Sequence, residues 1–185
     1  MKNKSKFIMN RIVALSFSFA VFLLTDTIVC ATELSSKTNE LICENVKVKI
    51  TTKCTGESNP IVPDCIEQYL LFIDQTTNKT VRRDTSGKLM SVRDARGKSI
   101  GRYLDALATG WVCKKGISKP YLIVWYNTGG NCDECEWQEI FDLNGTVLAS
   151  TLRKTKQSLK KYDGILLKLG LSSISVNDFL DIQLR

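Results

Sequence analysis

Cys132-Asp133-Glu134-Cys135 has the two-residue spacing of a thiol–disulfide oxidoreductase, whose first sulfur reacts as a thiolate stabilised at a helix N-terminus. The neighbouring residues oppose that chemistry. Gly129 and Gly130 precede the pair, β-prone residues follow it, and Asp133, Glu134 and Glu136 put negative charge beside a developing thiolate, which raises its pKa. The pair therefore reads as a small structural disulfide that closes a hairpin or bulge. Structural zinc takes four ligands, and the other cysteines of the mature chain, Cys43, Cys54, Cys65 and Cys113, are too scattered to resemble a zinc ribbon. No metal is expected.

Histidine is absent from all 185 residues. That removes the Ser-His-Asp triad, the Cys-His pair and every His-ligated metal site. Two further chemistries survive without it. Ser158-Leu159-Lys160-Lys161 spells Ser-x-x-Lys, but Lys161 falls in a lysine-rich, solvated stretch where nothing depresses its pKa. Glu134, Glu136, Glu139 and Asp142 could supply the two carboxylates of a glycosidase. Strand spacing, however, puts Glu134 with Glu136 and Glu139 with Phe141, the pattern of a wet face opposite an apolar one. No catalytic residue and no cofactor is assigned, and the chain reads as non-enzymatic.

A leader decides the compartment. Lys2, Lys4, Lys6 and Arg11 form a basic start, Ile12 to Leu24 is almost unbroken apolar chain, and Val29-Cys30-Ala31 offers a cleavage site. This is the layout of a signal peptide covering residues 1–31. The apolar run is too short for a permanent anchor of about 20 residues. Thr27-Ile28-Val29 before Cys30 also lacks the Leu and small residue of a lipoprotein site. The mature protein is thus expected to be periplasmic or secreted, without a stable membrane span. In an oxidising compartment the six cysteines beyond the leader read as a disulfide framework. Many pairings are open; short separation favours Cys132 with Cys135 and Cys54 with Cys65, which leaves Cys43 with Cys113.

The positioning elements follow from periodicity. Thr32 to Asn39 is polar and patternless, a flexible segment before a single β-rich domain over residues 40–185. Val46, Val48 and Ile50 alternate with lysines, a strand with one wet face. Residues 55–64 hold Gly56, Pro60 and Pro63, a loop composition. Tyr69 to Ile73 forms a strand that turns at Asp74 to Asn78. Asp-x-x-Gly recurs at Asp84, Asp94 and Asp142, each predicted to cap a turn whose Gly takes positive φ. Leu107 to Cys113 and Tyr121 to Tyr126 pair, and the continuous apolar run Leu122 to Trp125 marks a strand covered on both faces. Trp137 to Phe141 and Val147 to Leu152 form a further hairpin. Leu159, Tyr162, Leu166 and Leu169 recur at helical spacing and stop at Gly170. Ser175 to Leu184 is either a last helical turn or an edge strand. The predicted fold is a mainly β, antiparallel meander forming a sandwich or partly closed barrel, with one C-terminal amphipathic helix and disulfide stabilisation.

Charge is uneven. The chain carries 26 Lys plus Arg against 19 Asp plus Glu, a net +7, of which the leader accounts for +3. Two stretches are basic, Lys79 to Arg102 and Arg153 to Lys168, while Asp133 to Asp142 is acidic. Arg82, Arg83, Arg93, Arg96 and Arg102, with Lys154, Lys156, Lys160 and Lys161, are the candidate contacts to an acidic protein partner, acting through electrostatic steering. Basic-aromatic alternation is missing, so nucleic acid is not the expected partner. Trp111, Trp125 and Trp137 could form a binding platform, but tryptophans in strands are more often core. Asn78-Lys79-Thr80 and Asn144-Gly145-Thr146 match the glycosylation acceptor pattern. The function class reached is an exported binding protein, with an inhibitor or immunity protein against a secreted toxin as one concrete version. Its rivals are an oxidoreductase using Cys132 and Cys135, then a carboxylate hydrolase.

Overall fold

A computed structural model describes residues 34–55, 64–132, 134–152, 155–171 and 174–184. The signal-peptide reading, most of the Pro-rich loop, Asp133 and Lys154 lie outside them.

Alternation builds the first sheet. In β1 (Leu34–Cys43), β2 (Val46–Thr55), β3 (Cys65–Asp74) and β4 (Thr80–Asp84), neighbours in sequence pair antiparallel in the order β1-β2-β3-β4. Val46, Val48, Ile50, Leu70 and Phe72 point inward and are buried, while Lys47, Lys49 and Lys53 point outward. Glu40 receives Lys49 at 2.5 Å and Lys47 at 3.5 Å, and Glu67 receives Arg82 at 2.6 Å and Lys53 at 2.7 Å. These exposed pairs hold register more than they add stability.

Leu34 to Asn39 is a strand and not a loose segment, pairing residue by residue with Ile50 to Thr55. Its polar composition concealed this, because an edge strand with exposed side chains is held by the backbone ladder and shows no apolar alternation. The turn after β3 is as expected, with Asp74 Oδ1 accepting the Thr76 and Thr77 N–H groups.

β5 (Leu89–Arg93) and β6 (Ser99–Leu104) pair only with each other, forming a two-stranded ribbon. Then come β7 (Leu107–Lys115), β8 (Pro120–Asn127), β9 (Glu136–Phe141), β10 (Val147–Ser150), helix α1 (Lys156–Leu169) and a short β11 (Leu180–Asp181). The second sheet runs β10-β9-β8-β7-β11. The tail resolves its ambiguity by doing both: a single 3-10 turn at Val176–Asp178 leads into β11, which pairs with Gly110 and Trp111.

The two sheets pack face to face. Val48, Ile50, Leu70 and Phe72 of the first meet Trp111, Leu122, Val124 and Phe141 of the second in one core. The opposite face of the second sheet, with Val112, Tyr121, Ile123 and Ile140, is covered by Tyr162, Ile165, Leu166 and Leu169 of α1. That double cover is the reason β8 reads as a continuous apolar run. Thr155 caps the helix by accepting from Ser158 N, and Gly170 ends it at φ 69°.

All three favoured cysteine pairings occur. Cys54 and Cys65 face each other across the β2–β3 ladder, and Cys132 and Cys135 span the β8–β9 connection. Cys43–Cys113 joins β1 to β7 and so bolts the two sheets together, with 5.7 Å between Cα atoms. A second tie is Gln68, buried on the inner face of β3. Its amide accepts from Ala108 N at 2.7 Å, donates to Ala108 O at 3.1 Å and donates to Thr52 Oγ1 at 3.0 Å. Ala108 sits at a register shift in the β7–β8 ladder, where a backbone pair needs another partner.

Candidate functional site

No helix starts at Cys132. The disulfide lies in the loop between β8 and β9, where Cys135 N–H donates to Cys132 O and Thr128 N–H donates to Cys135 O, both at 2.9 Å. The sulfurs thus lack the helix N-terminus that would stabilise a thiolate. Among the described residues no group of His, Cys, Asp and Glu is arranged to hold a metal ion.

The candidate acids are separated by use. Asp142 Oδ1 accepts the Asn144 and Thr146 N–H groups of its turn, and Glu136 Oε1 accepts from Asn127 Nδ2. Glu134 is exposed. Glu139 departs from the expected wet face: it shares the face of Trp137 and Phe141, as spacing requires, but that face is the core, and Glu139 is only 5 % exposed. Ser86 Oγ donates to its Oε1 at 2.6 Å. β9 is covered on both faces, which acidic residues in sequence do not announce.

Ser86 belongs to the first Asp-x-x-Gly, which is not a capped turn like the others. At Asp94 and Asp142 the carboxylate accepts two backbone N–H groups and the glycine has φ 79° and 76°. Near Asp84, by contrast, Thr85 continues the bonding to β3 through its backbone and hydroxyl, each donating to Gln68 O. Gly87 is required for space: a Cβ there would meet the Ala106 carbonyl oxygen.

Beside Glu139 lies Tyr126, fully buried and stacked on Trp137 at 5.2 Å. Its hydroxyl lies near Glu139 and Ser86 without forming a hydrogen bond of good geometry, and burial, followed by the charge of Glu139, pushes its pKa well up. A buried donor without a partner is destabilising. Tyr126→Phe should therefore raise stability by about 1 kcal/mol in urea titrations. A loss of that size instead would mean that the hydroxyl bonds Glu139 in solution.

The basic residues fall into three settings. Arg82 lies over the Tyr69 ring at 3.8 Å and pairs with Glu67 and Asp84. Arg83, on the opposite face of β4, donates from Nε to Gly145 O at 2.8 Å and locks the edge strand to the β9–β10 turn. Both have bonding partners within the fold. Lys156, Lys160 and Lys161 are exposed on α1, which covers the second sheet on the side away from the first. α1 covers the outer face of the second sheet, whereas Arg82 points outward from the first. Ser158 donates to Thr155 O within the first helical turn, and Lys161 is exposed.

Arg93, Arg96 and Arg102 occupy the β5–β6 ribbon. Arg93 Nη1 donates to Gly97 O at 2.7 Å across the turn. Among the described residues the side chains of Arg96 and Arg102 have no partner. The ribbon's acids are turned onto its own backbone, Asp94 at the tip and Asp105 at the base, where its Oδ1 accepts from Lys88 N at 2.6 Å. Register places Met90 opposite Tyr103 and Val92 opposite Gly101 on one face, with Ser91 opposite Arg102 on the other. Leu104 anchors the base against Cys54, Cys65 and Leu107. Leu89, Met90 and Val92 remain 43 %, 53 % and 36 % exposed, so the ribbon combines unneutralised bases with uncovered apolar side chains. Sequence reasoning found its arginines but not its apolar face, which depends on the ribbon joining neither sheet.

No helix among the described residues is long and apolar enough to cross a membrane. Comparison of the chain with protein-family models, with curated proteins and with solved structures yields no match.

Proposed function

We propose that the chain is an exported, non-enzymatic binding protein that holds an acidic protein partner with the β5–β6 ribbon; an inhibitor or immunity protein against a secreted toxin is its concrete form. The ribbon itself carries this reading. Met90 and Val92, exposed on one face of the ribbon, are stabilised when a partner covers them, and Arg96 near the tip and Arg102 on the opposite face attract an acidic surface and speed encounter. The helix lysines, on the far side of the second sheet, are solvated surface in this reading. The oxidoreductase alternative would need a thiolate-stabilising helix at Cys132, where a hairpin loop stands.

A photo-crosslinker at Met90, compared with one at Gln157 on α1, identifies the partner in envelope material of the producing cell. Stopped-flow association then reads the contact. Arg96→Glu with Arg102→Glu should slow kon about tenfold and leave koff nearly unchanged, the effect shrinking between about 0.1 and 1 M salt. Lys156→Glu with Lys160→Glu should change neither. Association indifferent to salt and to the ribbon arginines overturns the proposal. Catalytic reduction of insulin, lost in Cys132→Ser/Cys135→Ser, would transfer the function to the oxidoreductase class.

A further inference from the structure

The outer face of the second sheet holds a cavity of about 260 Å³ where it meets the start of α1. Trp125 of β8, Glu136 and Gln138 of β9, and Leu159, Tyr162 and Asp163 of α1 line it. Among the described residues no lysine or arginine does, although the chain as a whole is basic. Trp111 and Trp137 are core at 2 % and 5 % exposure, whereas Trp125 is partly open to solvent.

The walls are fixed by bonds that leave the cavity's charge in place. Register sets Trp125 directly across from Gln138 and Asn127 across from Glu136. Phe179 stands edge-on to the Trp125 ring at 5.2 Å and 76°, which holds the indole. Tyr162 Oη donates to Gln138 Oε1 at 2.8 Å, and Gln138 N–H donates to Thr151 Oγ1 at 2.8 Å. Burial and then the Asp163 charge raise the Tyr162 phenol's pKa, so it stays a neutral donor. Asn127 takes one oxygen of Glu136, and Asp163 is exposed at the rim.

We infer that this cavity binds a guanidinium group, with the indole of Trp125 against its plane and Glu136 and Asp163 accepting its N–H donors. A flat cation suits an aromatic wall. Two carboxylates supplied from different elements match the fork of a guanidinium better than the point charge of an ammonium. The group is carried either by a free small molecule or by an arginine side chain of a peptide. This site is independent of the ribbon, and its test does not require the partner.

The indole N–H resonances of the full mature protein, recorded by NMR, report on it directly, since three tryptophans give three signals and Trp125→Phe identifies one. Agmatine and an N-acetylated, C-amidated arginine are titrated as probes, with capped citrulline as the neutral isostere and capped lysine as the ammonium. A saturable shift of the Trp125 signal is expected with both guanidinium probes, about fivefold weaker with lysine and absent with citrulline. Glu136→Gln and Asp163→Asn should each weaken binding about fivefold, while Glu44→Gln on the distant β1–β2 turn leaves it unchanged. Tighter binding of agmatine assigns the site to a free molecule, and tighter binding of the capped arginine to a peptide. No saturable shift at tens of millimolar probe, equal binding of citrulline, or binding indifferent to both acid replacements would overturn the inference. Because these variants are conservative and lie at a cavity wall, an unchanged urea midpoint separates loss of binding from loss of fold.

Discussion

Cys43→Ala with Cys113→Ala should lower the unfolding free energy by about 4 kcal/mol, the largest effect of any disulfide in the molecule. The bond closes a sequence separation of 70 residues, and in the chain-entropy account a loop of that length restricts the unfolded ensemble by about that amount. Cys54–Cys65 closes a separation of 11, for which the same relation gives about 3 kcal/mol, and Cys132–Cys135 still less. The longer bond also has a folded-state role the other two lack, since it crosses between the sheets whose inner faces form the core. A fall in melting temperature of about 10 °C is expected for a domain of this size. Urea titrations of the two double mutants decide the matter. A smaller loss for the Cys43–Cys113 pair than for Cys54–Cys65 would mean that the unfolded chain stays compact without the long bond and that loop entropy is the wrong account.

Gln68→Leu should cost about 3 kcal/mol, although it places an apolar residue of similar size in an apolar core. Three hydrogen bonds disappear together, and two of the groups left behind are the N–H and C=O of Ala108, which remain buried. An orphaned buried backbone group costs about 1–3 kcal/mol, more than a paired one contributes. Gln68→Glu tests the same point from the other direction, because a carboxylate could accept from Ala108 N–H but could not donate to its carbonyl. Equilibrium unfolding together with amide exchange at Ala108 is the measurement. Should Gln68→Leu leave stability within 0.5 kcal/mol of the parent, about the scale of a neutral surface change, the amide tie would be dispensable and the sheets would be held by apolar packing and the disulfide alone.

Much of the architecture is legible in local pattern. Val46, Val48 and Ile50 alternate because one face of their sheet meets water, and Leu122 to Trp125 run continuously because both faces of theirs are covered. Leu159, Tyr162, Leu166 and Leu169 mark helix α1 and Gly170 its end, since only glycine takes the left-handed cap without strain. The short-range disulfides follow from spacing, and once they are assigned the third has no alternative. The turns at Asp94 and Asp142 are likewise local, each a carboxylate accepting the backbone N–H groups that follow it.

What stays hidden in the linear chain is whatever depends on a distant neighbour. Residues 34–39 are polar, and only the ladder offered by Ile50 to Thr55 makes them a strand. Asp84-Thr85-Ser86-Gly87 has the same letters as the other two turns, but Glu139 and the Ala106 backbone, far along the chain, recruit it for a different task. Glu139 itself has the spacing of a strand face without any sign of which face is buried, because alternation determines that two faces differ and not which of them another sheet will cover. The basic residues were a single set by composition. Packing divided them into two bonded arginines on β4, three on the ribbon and the exposed lysines of α1 over the outer face of the second sheet. Backbone periodicity, capping and cysteine spacing are short-range properties carried by the amino-acid sequence alone; the burial of a carboxylate, the exposure of Trp125 and the company kept by each charge were decided by the tertiary structure, since solvent access is a property of the assembled surface.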